Sequence, residues 1–578
     1  MIPLGVIARA SGRRRTVPVS PPPPDPDAWD PTVLPDAPAI DESTFDSLDQ
    51  LWVDPGGSDA NVGSQASPLA TIGEGFARAR STRTSSEGHT GTRVNVNPGT
   101  YRQTIWDGVF NNSGVTGTAP IVVSATPGTV IIDGSDDWSG GWTSTADTDV
   151  FTKPWTLGWG TAPNPWAHNI DIGVLARRAE LVVVNNVNLD QFFETDTPYA
   201  DDPVMDIPAT HAALVASSSG FYVDTVNQLM YVKHPSLNSQ TVEVGVRGFG
   251  DHTVNTKMLR AQSLRYFVIK GFTFRHVVST FRHAVIDIVN QDDVLVQDCE
   301  LLLCNGGISI GGSPALEGVR DYSPARRIAV KNVTMHDVGG QGIVVSIGHS
   351  ILWQDVENLR HNWRNIRGNF HSWSTGNKAG RCRYLTYQRV NSSDGWARGL
   401  WLDWDNTYTA YLDCTMSGNM KDGIFLEANQ GPVVMHGCTL TGNGENGILT
   451  ANMRNLTLEG NTIAFNALAQ IRKSGNVTRT VIDVETEETV DVKDYNWTFT
   501  GNTLESNGDT TATKLLHETT WNATYWAETM ETSYFNGNTY RQAVDANVFR
   551  IGGGSQNTFA TWQAHALIDE SSSTFNAP

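Results

Sequence analysis

The feature that most constrains this chain is a spacing. A small residue followed by alternating apolar positions recurs as AVIDI from Ala284, GISI from Gly307, GIVVSI from Gly342, GLWLDW from Gly399, GIFLEA from Gly423 and GILTAN from Gly447. The steps between the small residues are 23, 35, 57, 24 and 24. Each unit carries strand-like runs and an Asn/Gly turn, as in GIFLEA, PVVMHGCTL and TGNGEN. Roughly 22–25 residues of this kind make one coil of a parallel β-helix. The 57-residue step holds two coils, one of them in the Trp-rich stretch around Gly376, and the 35-residue step carries the extra loop GGSPALEGVRDYSPARR. Cys414 and Cys438 share a phase, 24 apart, as an inward stack of small side chains does. A β-sandwich with irregular hairpins gives no reason for glycines at a constant 24. The predicted fold is all-β, a right-handed parallel β-helix with an inserted or elaborated β-domain.

The rest of the chain divides around this repeat. Residues 1–50 are Pro- and Asp-rich, with Pro21 to Pro24 in a row, and read as a flexible tether. Residues 51–107 form an N-terminal cap and first coils. Over 108–250 the pattern changes to DDWSGGWTSTADTDVFTKPWTLGWG and GFYVDTVNQLMYVKHP, which predicts antiparallel hairpins in an inserted β-rich region. Residues 251–510 form the main helix and carry its active face. Residues 511–578 cap it, because an open solenoid end exposes strand edges.

Composition removes several functions. Lys plus Arg number 41 against 61 acidic residues, a formal charge of -20. Such a surface repels phosphates, which excludes a general nucleic-acid role and favours a neutral glycan over an acidic one. No apolar stretch approaches the ~20 residues of a membrane span. The opening MIPLGVIARASGRRR places its basic cluster after the apolar run, the reverse of a secretory signal. The predicted location is extracellular or virion-associated, by a route other than a recognisable signal peptide. Cys299, Cys304, Cys382, Cys414 and Cys438 are odd in number and lack a CxxC, so they read neither as a disulfide framework nor as a zinc site. Asp292, Asp293 and Asp224 carry donors that suit calcium. No EF-hand or nonapeptide calcium repeat accompanies them, and no metal or cofactor is assigned.

Strand alternation places the chemistry. In GLWLD, Leu400 and Leu402 point inward and Trp401 and Asp403 outward; in GIFLE, Ile424 and Leu426 point inward and Phe425 and Glu427 outward. Asp403 and Glu427 both lie four residues after their glycine, so they stack on adjacent coils about 4.8 Å apart. Retaining glycosidases hold their carboxyl groups ~5–5.5 Å apart and inverting ones ~6.5–9.5 Å. Repeats also bring solvated acids into register, but stacked like charges are unfavourable and need a reason. Trp401, Trp404 and Phe425 supply a sugar-stacking surface. Asp405, Lys378, His371, Trp373 and Asn429 are further candidates to bind substrate, with Trp396 and Gln430 on the same face.

GLWLDWDN followed by GIFLEANQGP resembles the active-site signature of β-helical glycoside hydrolases, in particular the β-xylosidases of glycoside hydrolase family 120. The resemblance implies Asp403 as nucleophile and Glu427 as acid/base. LWVDPGGSDANVGSQASPLATI with NPGTY, GFYVDTVNQLMYV and FVIKGFTFRH extend it over most of 51–470. It departs at Asp405-Asn406 and in one extra residue between the carboxylates, so the reaction type carries over and the sugar does not.

Two other classes compete. A polysaccharide lyase on the same fold uses Lys or Arg chemistry on a uronate, and no cluster of basic residues is expected beside the carboxylates. A non-catalytic glycan-binding or virion protein is the third reading. MIPLGV with its basic cluster and Pro-rich tether resembles the amino ends of some bacteriophage minor tail proteins, which implies virion attachment through the N-terminus, a homotrimer, and a tail-spike-type depolymerase.

Overall fold

The computed structural model describes residues 29–85, 91–106, 120–157, 177–192, 207–249, 259–262, 265–279, 284–312, 323–364, 377–475, 477–506, 514–518, 523–542, 548–551, 555–564 and 571–576. The chain is a right-handed parallel β-helix whose coils have three faces. One face is a ladder of short parallel strands that includes Ile308–Gly311, Ile343–Ser346, Lys378–Gly380, Leu400–Asp403, Ile424–Asn429 and the first half of Asn446–Glu459. Its inward side chains stack in register: Leu400, Ile424, Ile448, Ile471, Leu516 and Phe549 are successive partners. All but the half-buried Leu516 belong to the main core. Fully burying one such side chain stabilises by roughly 1.5–3 kcal/mol, so the column resists a slip of register. The strand Lys378–Gly380 is the extra coil expected inside the 57-residue step; Gly376 itself lies outside the described residues.

The glycine period has a steric cause. A Cβ at Gly399 would meet the carbonyl oxygen of Gly423 at 2.5 Å, and one at Gly423 would meet that of Gly447 at 2.8 Å. Buried asparagines finish the turns. The backbone N–H of Asn419 donates to Asn443 Oδ1 at 3.0 Å, and that of Asn443 to Asn466 Oδ1 at 3.0 Å. The ladder satisfies backbone groups that no strand partner reaches. All five cysteines are buried free thiols, and Cys414 and Cys438 donate to Tyr387 O and Tyr411 O one coil back.

Several boundaries differ from expectation. Ile121–Ser124 and Val130–Asp133, within the expected insert of 108–250, pair with solenoid strands on both sides. The chain leaves the solenoid after Asp133 and re-enters at Leu259–Gln262. Between them stand two antiparallel sheets. One contains Ser135–Asp137, Val182–Val184, Val187–Asn188 and Val242–Gly245; the other contains Thr143–Ser144, Val150–Pro154 and the hairpin Gly220–Asp224/Leu229–Lys233. Beyond residue 510, Lys514–Glu518, Tyr534–Asn536, Thr539–Arg541 and Phe549–Ile551 continue the coils. The short helix Phe559–Gln563 then lays Trp562 on Phe549 at 5.3 Å, and the helix Ile72–Ser85 buries Ile72, Phe76 and Ala79 in the core at the other end.

The expected tether is also different where it is described. Val122, Val268, Leu295, Ala329 and Leu352 make an outward-facing apolar column, and Phe45 and Leu48 cover it, with Ile40 packed alongside. The Ala39 N–H donates to Asp293 Oδ1 at 2.9 Å, and Trp29 meets Tyr408 edge-on at 5.6 Å. Residues 29–48 are therefore a strap along the solenoid, held because the column behind them is apolar. The segment MIPLGV, with Pro21 to Pro24, lies outside the described residues.

Two outcomes follow. Gly399→Ala is expected to cost about 1–3 kcal/mol through the clash with Gly423 O, read as a lower urea midpoint by circular dichroism; an unchanged midpoint would show that the carbonyl moves freely. Phe45→Ala is expected to cost about 3 kcal/mol locally. Hydrogen exchange should then quicken by about 100-fold in residues 29–48, with the inner strands still protected.

Candidate functional site

Leu400, Leu402, Ile424 and Leu426 face the core, and the intervening positions face outward. Asp403 and Glu427 are direct register partners on adjacent parallel strands. Each carboxylate has its own cation. Lys378 Nζ, one coil before Asp403, lies 2.6 Å from Asp403 Oδ2. Arg479 Nη1, from a distant stretch of chain, lies 2.5 Å from Glu427 Oε1. Burial first, and then the Asp403 charge, push the Glu427 carboxyl above its ordinary value against the pull of Arg479 and Lys378. Burial brings the Lys378 ammonium down to about 8, although Asp403 and Glu427 oppose that change.

The expected stacking surface is largely filled by the protein itself. Trp401 and Phe425 are 7% and 8% exposed, and their rings stack on each other at 5.3 Å. Lys378 Nζ lies 4.0 Å over the Trp401 ring, and the Arg398 guanidinium lies 5.1 Å from Trp401 and 4.7 Å from Phe425. Trp404 packs against Ala428, Val481 and Val492. Trp396 is exposed at the turn before the strand, 44% accessible. His371 and Trp373 lie outside the described residues.

Two candidates face the wrong way to touch a substrate. Asn429 is buried: its Oδ1 accepts from Asn406 N and Nδ2 at 3.1 and 2.6 Å, and its Nδ2 donates to Leu402 O at 2.9 Å. It belongs to an internal asparagine ladder. Asp405 is buried against Arg383 at 3.2 Å and accepts from Gln430 Nε2 at 2.7 Å and the Val484 N–H at 2.9 Å. Arg383 also reaches Asp483 at 3.1 Å and Glu485 at 3.3 Å. This network anchors the hairpin Arg479–Ile482/Thr489–Val492, whose Val481 and Val492 are buried on Ala428.

That hairpin is what the sequence reading missed. Its signal is the alternation RTVI and TVDV around the polar turn DVETEE. Arg398 was missed as well. It precedes Gly399 as Asp422 precedes Gly423, the same phase 24 residues apart, and the two pair at 2.7 Å. Lys378 and Arg479 thus pair with the two carboxylates, Arg398 lies over the neighbouring Trp401 and Phe425 rings, and the expected absence of basic residues there does not hold.

Elsewhere, the acids considered for calcium have other partners. Asp293 is held by Arg327 at 2.7 Å, Asp292 pairs with Arg265 at 3.0 Å, and Asp224 caps its own turn through Val226 N and Asn227 N. Among the described residues, Asp133, Glu243 and His276 bring ligand atoms within 4.8 Å of one another. Arg275 lies 2.8 Å from Asp133 and Arg102 3.1 Å from Glu243, so guanidinium groups already balance that cluster where the insert meets the solenoid.

A family model described as right handed beta helix region matches residues 265–463. No curated protein sequence matches the chain. The structure titled "The complex structure of XylC with xylose" is similar over 85% of this chain and 83% of that one, at 16% identity and a TM-score of 0.56. The A-module of mannuronan C-5 epimerase AlgE6 from Azotobacter vinelandii is similar over 90% and 97%, at 11% identity and 0.46. A structure titled "Glycoside hydrolase" is similar over 82% and 95%, at 11% and 0.44.

The packing of Asp405 leads to a separate expectation. Asp405→Ala removes the buried partner of Arg383, which keeps Asp483 and Glu485, and is expected to cost about 1–3 kcal/mol. Thermal unfolding should fall by several degrees for Asp405→Ala and by much less for Asp403→Asn, whose side chain is nearer to solvent. Equal losses in the two variants would mean that Asp405 is not an anchor. Taken with the family match, the 0.56 likeness establishes that the chain shares the right-handed parallel β-helix fold.

Proposed function

We propose that this protein is a retaining glycoside hydrolase with Asp403 as nucleophile and Glu427 as acid/base. The observation that carries the reading is the register pairing of two partly buried carboxylates, each with its own cation. Parallel strands stand about 4.8 Å apart, which suits the ~5–5.5 Å separation of a retaining pair. The ion-paired Asp403 attacks the anomeric carbon, and Glu427, whose burial favours its protonated form, gives its proton to the leaving glycosidic oxygen. A covalent glycosyl-Asp403 forms as the glycosidic bond breaks. Glu427, now ionised, takes a proton from water, which attacks the same carbon and releases Asp403.

Asp403 pairs with Lys378 and Asp422 with Arg398, so these charges are matched within the site. That balance supports a neutral sugar. The related fold named XylC was solved with xylose, which makes pentosides a sensible first member of any substrate panel.

A second reading, a lyase acting on a uronate, is favoured by one observation. Lys378 and Arg398 both lie over the Trp401 ring beside Asp403, and burial brings the Lys378 ammonium down to about 8, towards the range of a general base.

The test compares wild type, Asp403→Asn and Glu427→Gln on aryl glycosides and polysaccharides. Release of sugar with retained anomeric configuration is expected from the wild type. Glu427→Gln should lose about 10²–10⁴-fold on poor leaving groups and much less on dinitrophenyl glycosides, which need no proton. Asp403→Asn should be inactive on both. Products absorbing as unsaturated uronates, or full activity in both folded variants, would sink the hydrolase reading.

A further inference from the structure

The contact between Arg479 and Glu427 joins two parts of the chain that the repeat does not connect. Arg479 lies 52 residues beyond Glu427, on a hairpin that interrupts the solenoid between Ala469–Lys473 and Tyr495–Thr500. A surface arginine meeting an acid is ordinarily worth little. This one is held differently. Val481 and Val492 are wholly buried on Ala428, the residue after Glu427. The Val484 N–H donates to Asp405 Oδ2 at 2.9 Å, and Asp483 accepts from Arg383 Nη2 at 3.1 Å and Gln430 Nε2 at 2.8 Å. Asp405 and Gln430 sit two residues after Asp403 and three after Glu427. The strands that carry the carboxylates therefore also carry the anchors of the hairpin that reaches back over them. The Arg479 guanidinium passes the Trp404 ring at 5.5 Å on its way to Glu427.

We propose that the hairpin Arg479–Val492 is a working part of the site and that Arg479 is the positioning residue for Glu427. The proposal rests on Glu427 being the acid/base. A guanidinium 2.5 Å from one carboxylate oxygen fixes the side-chain rotamer and leaves the other oxygen to face the substrate. It also stabilises the ionised form, which the second half of a retaining reaction uses as its base. Among the described residues, the charged groups around Glu427 are Asp403 on its neighbouring strand, Lys378 one strand further, Arg398 beyond the Trp401–Phe425 pair, and Arg479. On the other side its register partner is Ala451, which carries no charge. Among the described residues, Arg479 is the cation that pairs directly with Glu427.

The sign follows. Removing the guanidinium takes away a group that favours ionised Glu427, so the carboxyl holds its proton to higher pH. The pair keeps some solvent exposure and is partly screened, and the expected displacement is about one pH unit. The experiment is a carbon-13 NMR titration of the glutamate carboxyl groups in the full chain, with the Glu427 signal assigned by its loss in Glu427→Gln. In Arg479→Gln the midpoint should rise by about one unit, and in Arg479→Lys by clearly less. In parallel, the alkaline limb of kcat/KM should move up with the titration in Arg479→Gln, because the first step needs protonated Glu427. A midpoint unchanged in Arg479→Gln, in protein that unfolds at the wild-type temperature, overturns the positioning role whatever the activity. Retained hydrolysis by Asp403→Asn and Glu427→Gln would instead strike the proposed function, and the titration would still report on the contact.

Discussion

The structure depends on the registered apolar ladder inside the face that carries Asp403 and Glu427. Leu400 over Ile424 and Leu402 over Leu426 set the pairing, and everything outside the ladder inherits it. Because side chains alternate along a strand, a pairing that buries those four residues also sets Asp403 beside Glu427. The two charges have no choice of neighbour short of a slip that would turn the whole apolar column outward. The hydrophobic term is large and distributed, and the local repulsion is small by comparison. A solenoid can in this way hold two like charges at close range, which an isolated hairpin would relax away.

The repulsion is then offset locally rather than removed. Lys378 comes from the preceding coil, and Arg479 from a hairpin grown out of a later one. Arg398 and Asp422 form a further pair along the same axis. Lysine, aspartate and glutamate each come from an ordinary repeat position, whereas Arg479 required an insertion. The two cations also act differently. Lys378 is shielded enough to lose its proton more readily than usual, while a guanidinium stays charged in any protein setting. A site with one cation of each kind can hold one carboxylate firmly and leave the charge beside the other adjustable.

Much of this was legible because the repeat turns sequence distance into spatial distance. A step of 24 predicted the pairing of Asp403 with Glu427, and the same step predicts Arg398 with Asp422 and Lys421 with Glu445. What the repeat could not show lies off its period. Arg479 arrives through a hairpin whose docking depends on Val481 and Val492 finding Ala428, a contact without any fixed spacing. The strap over 29–48 was read as a tether because its composition is polar and Pro-rich. Only Phe45, Leu48 and Ile40 carry its affinity for the apolar column, and three residues do not form a pattern. The end of the solenoid was misplaced for a related reason: after 510 the coils persist with longer connections and the glycine signal stops.

The pair Asp403 and Asp405 shows how a motif conceals a division of labour. In the segment LDWD the two aspartates look equivalent, and alternation alone would put both on the outer face. The chain, however, leaves the strand at once: Trp404 and Asp405 take φ of 59° and 60°, in the left-handed region. Residues other than glycine hold that conformation at a cost, and here the turn gains an ion pair with Arg383 and the hydrogen bonds of a docked hairpin. The turn carries Asp405 under the docked hairpin while Asp403 stays at the rim beside Glu427. The first aspartate is thereby left beside Glu427 and Lys378, and the second holds the hairpin that Arg479 projects from. Two aspartates of one motif thus have different surroundings, and the change of backbone conformation between them separates the two.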